Sequence, residues 1–67
     1  MPSTVIRRHL YDADERKLAI EFTTGRRYVY HEVPPEEYER FRAAFSKGRY
    51  FNAHIRDGYD YTEMESA

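Results

Sequence analysis

Positive side chains and aromatic rings are interleaved in one segment, Arg40–Arg56, that contains no Asp or Glu. Binding of RNA needs cations that neutralise phosphates and exposed rings that stack on bases. The segment supplies both, together with an amide and an imidazole that suit hydrogen bonds to unpaired bases. The candidate RNA-binding residues are Arg40, Arg42, Lys47, Arg49, Tyr50, Asn52, His54 and Arg56.

The same segment also fits the solvated side of a small helix. Phe51 and Ile55 are four residues apart and are expected to face a core, so the charges between them would face water. Cations near a helix C-terminus are favoured by the helix dipole alone. Asn52 is equally suited to satisfying the preceding loop as a buried amide, and Arg56 to a helix end or a neighbouring aspartate. The sequence leaves these alternatives open.

A second group of cations lies earlier in the chain. Arg26 and Arg27 stand beside a turn, and Arg7 and Arg8 lie near the N-terminus. If this group and the first shared one face, the case for RNA binding would be stronger. The sequence does not determine whether they do.

The sequence gives little indication of a catalytic or metal-binding site. Ser46, His54 and Asp57 are close in sequence, but a Ser–His–Asp site is usually built from separated parts of a larger fold. His9 and His31 are candidates for cross-strand neighbours, but His9, His31 and His54 lack helical ligand spacing. We therefore expect no enzyme activity, no catalytic residues, no metal and no cofactor.

The length and composition indicate one small domain with an aromatic core. The 67 residues include seven Tyr and four Phe but no Cys. All 11 basic residues but only 8 of the 12 acidic residues precede Asp57. We expect a single domain over residues 1–67, with residues 62–67 as a disordered acidic tail.

The chain has neither a bilayer-spanning apolar run nor the apolar core of a signal peptide, so a cytoplasmic location without membrane association is expected.

The first predicted strand runs from Thr4 to Tyr11, a stretch rich in β-branched and apolar residues. Simple alternation puts Ile6, Arg8 and Leu10 on one face. The charge of Arg8 breaks the apolar pattern, which indicates a strand at the edge of the sheet.

Two further strands follow, joined by a tight turn. Lys17–Thr23 alternates polar residues with the apolar residues Leu18, Ile20 and Phe22, the period of a half-buried strand. Gly25 supplies the positive φ that the turn requires. Arg26–Val33 then has Tyr28 and Tyr30 on one face and Val29 on the other.

Two short helices are predicted after Pro34. The first spans Pro35–Phe45 and has an apolar stripe of Tyr38, Phe41 and Phe45. Ser46 is a suitable N-cap for the second, whose residues Phe51 and Ile55 face the core. The expected fold class is α+β: a three-stranded antiparallel meander followed by two short helices packed on one face.

The chain resembles the KTSC domain family, named after the C-terminal domain of some lysyl-tRNA synthetases. The resemblance rests on "YDADERKLAIEFTTGRRYVYHEVPPEEYERF" followed by "SKGRYFNAHIR" and covers about Ser3 to Tyr61. It implies a single small domain of this type. A role in RNA metabolism is implied only through the attachment to a synthetase.

Two functional hypotheses follow. The first is a small non-enzymatic module that binds RNA, including tRNA, through the basic aromatic segment. The second is a protein-interaction or dimerisation module, because a sheet covered on one side leaves its other face, on which Val29 and Tyr11 are expected, open to a protein partner or a second copy.

Overall fold

The computed structural model describes residues 6–64, which form a four-stranded antiparallel sheet with helices on one face. The strands follow the order β1-β2-β3-β4. The predicted α+β class with an antiparallel sheet is confirmed. The elements are β1 (Ile6–Asp12), β2 (Lys17–Phe22), β3 (Arg27–Tyr30), α1 (Pro35–Ala43), α2 (Lys47–Tyr50), a π-helical turn (Phe51–Ile55) that continues α2, and β4 (Tyr61–Met64).

The fourth strand is the main difference from the sequence prediction. β4 pairs antiparallel with β3, and Tyr61 lies opposite Tyr30. All its residues are exposed, so no alternation of buried and exposed positions marks this strand in the sequence. Residues 62–64, predicted to be part of an acidic tail, belong to this strand, and residues 65–67 lie outside the described part of the chain.

β1 lies at the sheet edge, as predicted, but its faces differ from simple alternation. Ile6 pairs with Phe22 whereas Arg8 pairs with Glu21, so one extra residue is inserted between them. Such a β-bulge exchanges the two faces of the strand. Ile6 therefore packs on the core side and Arg8 and Leu10 on the other, and the predicted common face of all three is wrong.

Tyr11 faces the helices rather than the open side of the sheet. Its hydroxyl donates a 2.6 Å hydrogen bond to the Val33 carbonyl. Its ring stacks on Tyr38, with ring centroids 4.5 Å apart and planes 8° from parallel. The expectation that Tyr11 lies on the uncovered face is wrong for the same reason, the bulge earlier in β1.

The core lies between the sheet and the helices. β2 contributes all three of its predicted apolar residues, and the turn glycine Gly25 has φ +94, as the hairpin requires. No charged residue in the described chain is buried. The buried residues are Leu18, Ile20, Phe22, Tyr30, Val33, Phe41, Phe51 and Ile55.

α1 is shorter than predicted, and this changes the role of Phe45. Ala44 has extended dihedral angles, φ −66 and ψ 142, and its N–H bonds to the Phe41 carbonyl to close the last turn. Phe45 therefore lies outside the helix and is fully exposed, whereas Phe41 is buried. The predicted apolar stripe holds for Tyr38 and Phe41 only.

The second helix begins and packs as predicted. The Ser46 hydroxyl accepts a hydrogen bond from the Arg49 N–H, at 3.4 Å, which caps α2. The chain then widens into a π turn, where the Arg56 N–H bonds to the Phe51 carbonyl at 2.8 Å. Both Phe51 and Ile55 face the core.

Candidate nucleic-acid interface

The acid-free segment Arg40–Arg56 folds into four consecutive pieces. It comprises the last turn of α1, an extended linker over residues 44–46, α2, and the π turn. Phe41, Phe51 and Ile55 anchor this segment to the sheet. The polar residues between these anchors are half-buried or exposed on the helical side of the protein.

Two of the candidate cations lie beside one imidazole. The pKa of His9 is lowered by burial and then by the positive charges of Lys47 and Arg42. His9 lies on the helix-covered side of β1, edge-on to the rings of Tyr38 and Phe41. Arg42, at the end of α1, and Lys47, at the start of α2, therefore act on the same side of β1, and these two cations with the linker between them form the Phe45 region.

Phe45 is the exposed ring of this region, and it was not among the predicted site residues. It lies in the linker between the two helices, with Arg42 before it and Lys47 after it. Sequence periodicity assigned it to the core because i+7 spacing from Tyr38 continues a helical stripe. The one contrary signal was Ser46, since an N-cap at that position requires the first helix to end earlier.

Tyr50, the ring predicted to stack on a base, is held by protein contacts. Its hydroxyl donates a 2.6 Å hydrogen bond to Glu37 Oε2. Its ring lies 4.4 Å from the His54 ring and 6.4 Å from the Phe41 ring, measured between centroids. Burial, and next the hydrogen bond to Glu37, raise the pKa of Tyr50. Its ring and its hydroxyl are therefore both engaged within the fold.

Arg40 lies in a different environment from Arg42. Its charge acts on the hydroxyls of Tyr50 and Tyr59, where it opposes the rise in pKa that burial causes. Tyr59 donates a second, longer hydrogen bond of 3.4 Å to Glu37 Oε1. Arg40 therefore borders a tyrosine–carboxylate cluster, defined here as Glu37, Tyr50 and Tyr59.

The remaining candidate cations differ in their partners. Arg42 donates to Glu39 Oε1 at 2.8 Å, an exposed ion pair within α1. Arg49 is exposed on α2. Arg56 is exposed at the end of the π turn, where its charge acts on the pKa of Tyr30 in β3. It therefore lies apart from Arg42, whose charge acts on His9 in β1. Arg56 has no ion pair with either following aspartate within 4.0 Å.

Asn52 is oriented partly inward. Its Oδ1 is buried and has no hydrogen-bond partner among the described residues. The expectation of an amide that satisfies the loop is therefore not met at this oxygen. Because the oxygen is shielded from solvent, only the amino end of the side chain remains available for an RNA base.

The polar groups considered for catalysis or metal binding are separated. The Ser46 hydroxyl caps α2, whereas the His54 ring packs on Tyr50. His31 Nε2 lies 2.8 Å from Thr62 Oγ1, at β4. His9 lies opposite Ile20 in the ladder. Because β2 separates β1 from β3, His9 and His31 are not cross-strand neighbours.

The second group of cations is divided. Arg8 and Arg27 lie on the uncovered face of the sheet, whereas Arg26 lies beside Tyr28 at the β3–β4 edge. Arg8 and Arg27 flank Glu21 in the ladder, and Arg8 Nε lies 2.9 Å from Glu21 Oε1. Arg7 approaches the same carboxylate at 4.0 Å, and Arg26 lies 3.9 Å from Glu63. Arg42 and Lys47 lie near His9 on the helix-covered side, so the two basic groups do not merge.

Comparison with known proteins defines the class to which this fold belongs. The family model for the KTSC domain matches residues 2–59. The crystal structure of a KTSC domain protein from Yersinia pestis superposes with a TM-score of 0.85 at 33% identity, covering 97% of this chain and 92% of that one. The chain belongs to the KTSC domain family, and the resemblance seen in the sequence is confirmed.

Two relatives with similar sequences differ greatly in length. A protein of Tsukamurella paurometabola is 46% identical over 46 residues, which is 69% of each chain. A lysine–tRNA ligase of Nostoc punctiforme is 34% identical over 61 residues, which is 91% of this chain but 11% of the ligase. Across residues 6–64, no helix has the length and apolar character needed to cross a membrane.

Proposed function

We propose that this KTSC domain is a non-enzymatic module that binds RNA on its helical side. The observation that carries the proposal is the position of Phe45, a fully exposed ring on a linker between Arg42 and Lys47, in a segment without acidic residues. Single-stranded nucleic acids are commonly bound by exposed aromatic rings next to cations that follow the phosphate backbone. The match to part of a lysine–tRNA ligase makes tRNA the first RNA to examine.

In this mechanism an unpaired base stacks on Phe45 while phosphates on either side contact Arg42 and Lys47. Arg49, in α2 with Lys47, adds a further exposed cation for a phosphate. The ion pair between Arg42 and Glu39 is exposed and therefore weak, so a phosphate competes with Glu39 at little cost. Tyr50 acts indirectly, because it fixes α2 against α1 and thereby positions the linker.

The helical side also contains groups with a smaller part in this mechanism. Arg40 and Arg56 lie beside tyrosine hydroxyls away from His9 and add general positive potential. His54 packs on Tyr50 and Asn52 has a buried oxygen, so they form the wall of the site rather than its principal contacts.

The test is a fluorescence anisotropy titration of labelled tRNA and of single-stranded RNA at low and moderate salt. Replacing Arg42 and Lys47 together by Ala should weaken binding and lower the salt slope by about 0.7 for each cation that contacts a single-stranded phosphate. Arg26→Ala is the matched control, because that guanidinium is exposed beside Tyr28 and Glu63 at the β4 edge of the sheet, whereas Arg42 and Lys47 act on His9 at the β1 edge. No binding by the parent protein, or equal losses in the control, would contradict the proposal.

The exposed ring is tested by a pair of substitutions at one position. Phe45→Trp keeps an aromatic face and should retain or strengthen binding, whereas Phe45→Leu keeps an apolar side chain and removes the stacking surface. We expect Phe45→Leu to weaken RNA binding by about 5- to 100-fold, the range for loss of one base–aromatic stack. If the Phe45→Leu and Phe45→Trp variants bind RNA equally well, Phe45 makes only an apolar contact and the stacking mechanism is wrong.

A second candidate function is protein association through the face of the sheet that has no helices. Leu10, on this face, is 71% exposed, an unusual position for a large apolar side chain at the centre of a strand ladder. This face lies opposite the Phe45 region, so association there and RNA binding are separable properties.

A further inference from the structure

The uncovered face of the sheet carries three cross-strand rows of side chains. The middle row has the apolar residues Leu10, Ala19 and Val29, which lie directly opposite one another in the ladder, and it ends in Thr62 on β4. The rows on either side of it contain charged residues. One contains Arg8, Glu21 and Arg27 and ends in Met64 on β4, and the other contains Asp12 and Lys17.

The middle row is an apolar strip open to solvent. Ala19 and Val29 are half-buried by their neighbours, and Leu10 stands out from the edge strand with 71% of its surface exposed. On adjacent strands these side chains are roughly 5 Å apart, so they form one continuous strip across three strands. An antiparallel sheet with one polar face usually places polar residues at such positions.

The charges on either side of the strip have opposite signs along each strand. On β1 Arg8 and Asp12 flank Leu10, and on β2 Glu21 and Lys17 flank Ala19. The Asp12 carboxylate is held in place by the N–H groups of Asp14 and Glu15, at 3.0 and 3.2 Å. A face with these rows on opposite sides of an apolar strip is complementary to itself after a half-turn about that strip.

We propose that the partner of this face is a second copy of the chain, docked sheet to sheet about a two-fold axis along the apolar row. In this arrangement Leu10, Ala19 and Val29 pack on the same residues of the other copy. Arg8 then faces Asp12 of the partner subunit, and Glu21 faces Lys17 of the partner subunit. Each contact occurs twice, as in any isologous interface. The inference develops the second candidate function and does not depend on RNA binding.

Charge selects this register over the other two-fold arrangement. With the axis parallel to the strands and along β2, each row would face itself, so Arg8 would oppose Arg27, and Glu21 and Lys17 would each oppose the same residue of the other copy. With the axis along the apolar row, each of Arg8, Glu21 and Lys17 opposes a residue of opposite charge. Like charges placed opposite one another across an interface disfavour association, and opposite charges fix its register.

The available area indicates a weak dimer. Four strands of about five residues give a face of roughly 19 by 17 Å at standard strand spacing and rise. Two such faces have a combined area of roughly 650 Å², below the ~1,000 Å² at which stable specific interfaces begin and in the range of weak, transient ones. We therefore expect self-association in the micromolar range or weaker, visible when protein concentration is varied.

The first test is sedimentation equilibrium of the full chain over a wide concentration range. We expect a monomer–dimer equilibrium that Leu10→Lys weakens at least tenfold, since it places two charges in the apolar strip. Phe45→Lys, which alters an exposed apolar residue on the helical side, is the matched control and should leave the dimer intact. Circular dichroism of each variant establishes that it is folded. A parent chain that stays monomeric throughout, or a dimer unaffected by Leu10→Lys, overturns the proposal.

The second test uses charge reversal and mixing. Lys17→Glu and Glu21→Lys, each alone, put like charges opposite each other twice and should dissociate the dimer. An equimolar mixture of the two variants pairs the introduced Glu with the introduced Lys, and the native Glu21 with the native Lys17, so association should return. No recovery in the mixture would exclude this register. Variants that lose the dimer but bind RNA as the parent does separate this inference from the RNA proposal.

Discussion

The Tyr50 hydroxyl donates a 2.6 Å hydrogen bond to Glu37 Oε2, and this contact joins α2 to the first turn of α1. Tyr59, from the segment after the π turn, reaches the other oxygen of the same carboxylate at 3.4 Å. One carboxylate therefore links three parts of the chain that are distant in sequence. The linker that carries Phe45 lies between two of them, so this contact bears on the site as well as on stability.

We expect Tyr50→Phe to lower the free energy of unfolding by about 1–2 kcal/mol, because a hydrogen bond to a charged acceptor is lost. Tyr59→Phe removes the longer contact and should cost less. Urea denaturation of both variants measures the difference, and a double-mutant cycle with Glu37→Gln isolates the coupling. Equal losses in the two tyrosine variants would contradict the importance given to the 2.6 Å contact.

Stability should fall in alkaline solution because of Tyr30. Only 3% of this residue is exposed, and burial, followed by the nearby Tyr61 and Tyr28 hydroxyls, raises its pKa to about 12. A raised folded-state pKa means that the fold favours the neutral phenol, so the stabilisation is complete below the unfolded value of about 10 and is lost as pH rises towards 12.

The expected loss is on the order of 2 kcal/mol between about pH 9 and pH 12, from the linkage between proton binding and folding. Urea unfolding at several alkaline pH values measures it, and Tyr30→Phe should flatten the profile over the same interval. A profile that is equally steep in this variant would assign the alkaline loss to other groups.

His9 should respond to acid in the opposite sense. Its pKa is lowered by burial and by the charges of Lys47 and Arg42, so the fold favours the neutral imidazole. The corresponding stabilisation is present above the unfolded value of about 6.5 and is lost as pH falls through the lower folded value. Titration of the His9 ring by NMR measures this pKa directly.

The same titration reports on the proposed RNA site. An RNA phosphate that contacts Arg42 and Lys47 brings negative charge near His9 and should raise its pKa. In the free protein, Lys47→Ala should also raise it, whereas Arg26→Ala should not. An unchanged His9 pKa in an RNA complex would place the phosphates elsewhere on the protein.

Two phenylalanines four residues apart should behave differently when truncated. Phe41 is fully buried, and Phe41→Ala should cost about 3–5 kcal/mol through lost burial and a cavity. Phe45 is fully exposed, and Phe45→Ala should change stability by no more than about 0.5 kcal/mol. Urea denaturation compares them, and a large loss from Phe45→Ala would show that its ring packs on the protein.

Local patterns in the sequence predicted the elements that local forces form. Alternation identified β2, Gly25 identified its turn, and Ser46 identified the start of α2. These features depend on neighbours within a few residues, so the chain itself contains the signal. The acid-free segment Arg40–Arg56 was likewise visible in the sequence, as was the family.

Features set by distant partners were decided only in the tertiary structure. β4 forms because β3 offers a free edge, and its exposed residues leave no pattern to read. The bulge in β1 moved Tyr11 to the core and left Leu10 exposed, since one extra residue reverses every later side chain of a strand. The end of α1 at Ala43 exposed Phe45, while the contact with Glu37 engaged Tyr50. Composition and periodicity thus determined the first three strands and the two helices, and packing between distant segments added β4 and decided which rings and charges face the solvent.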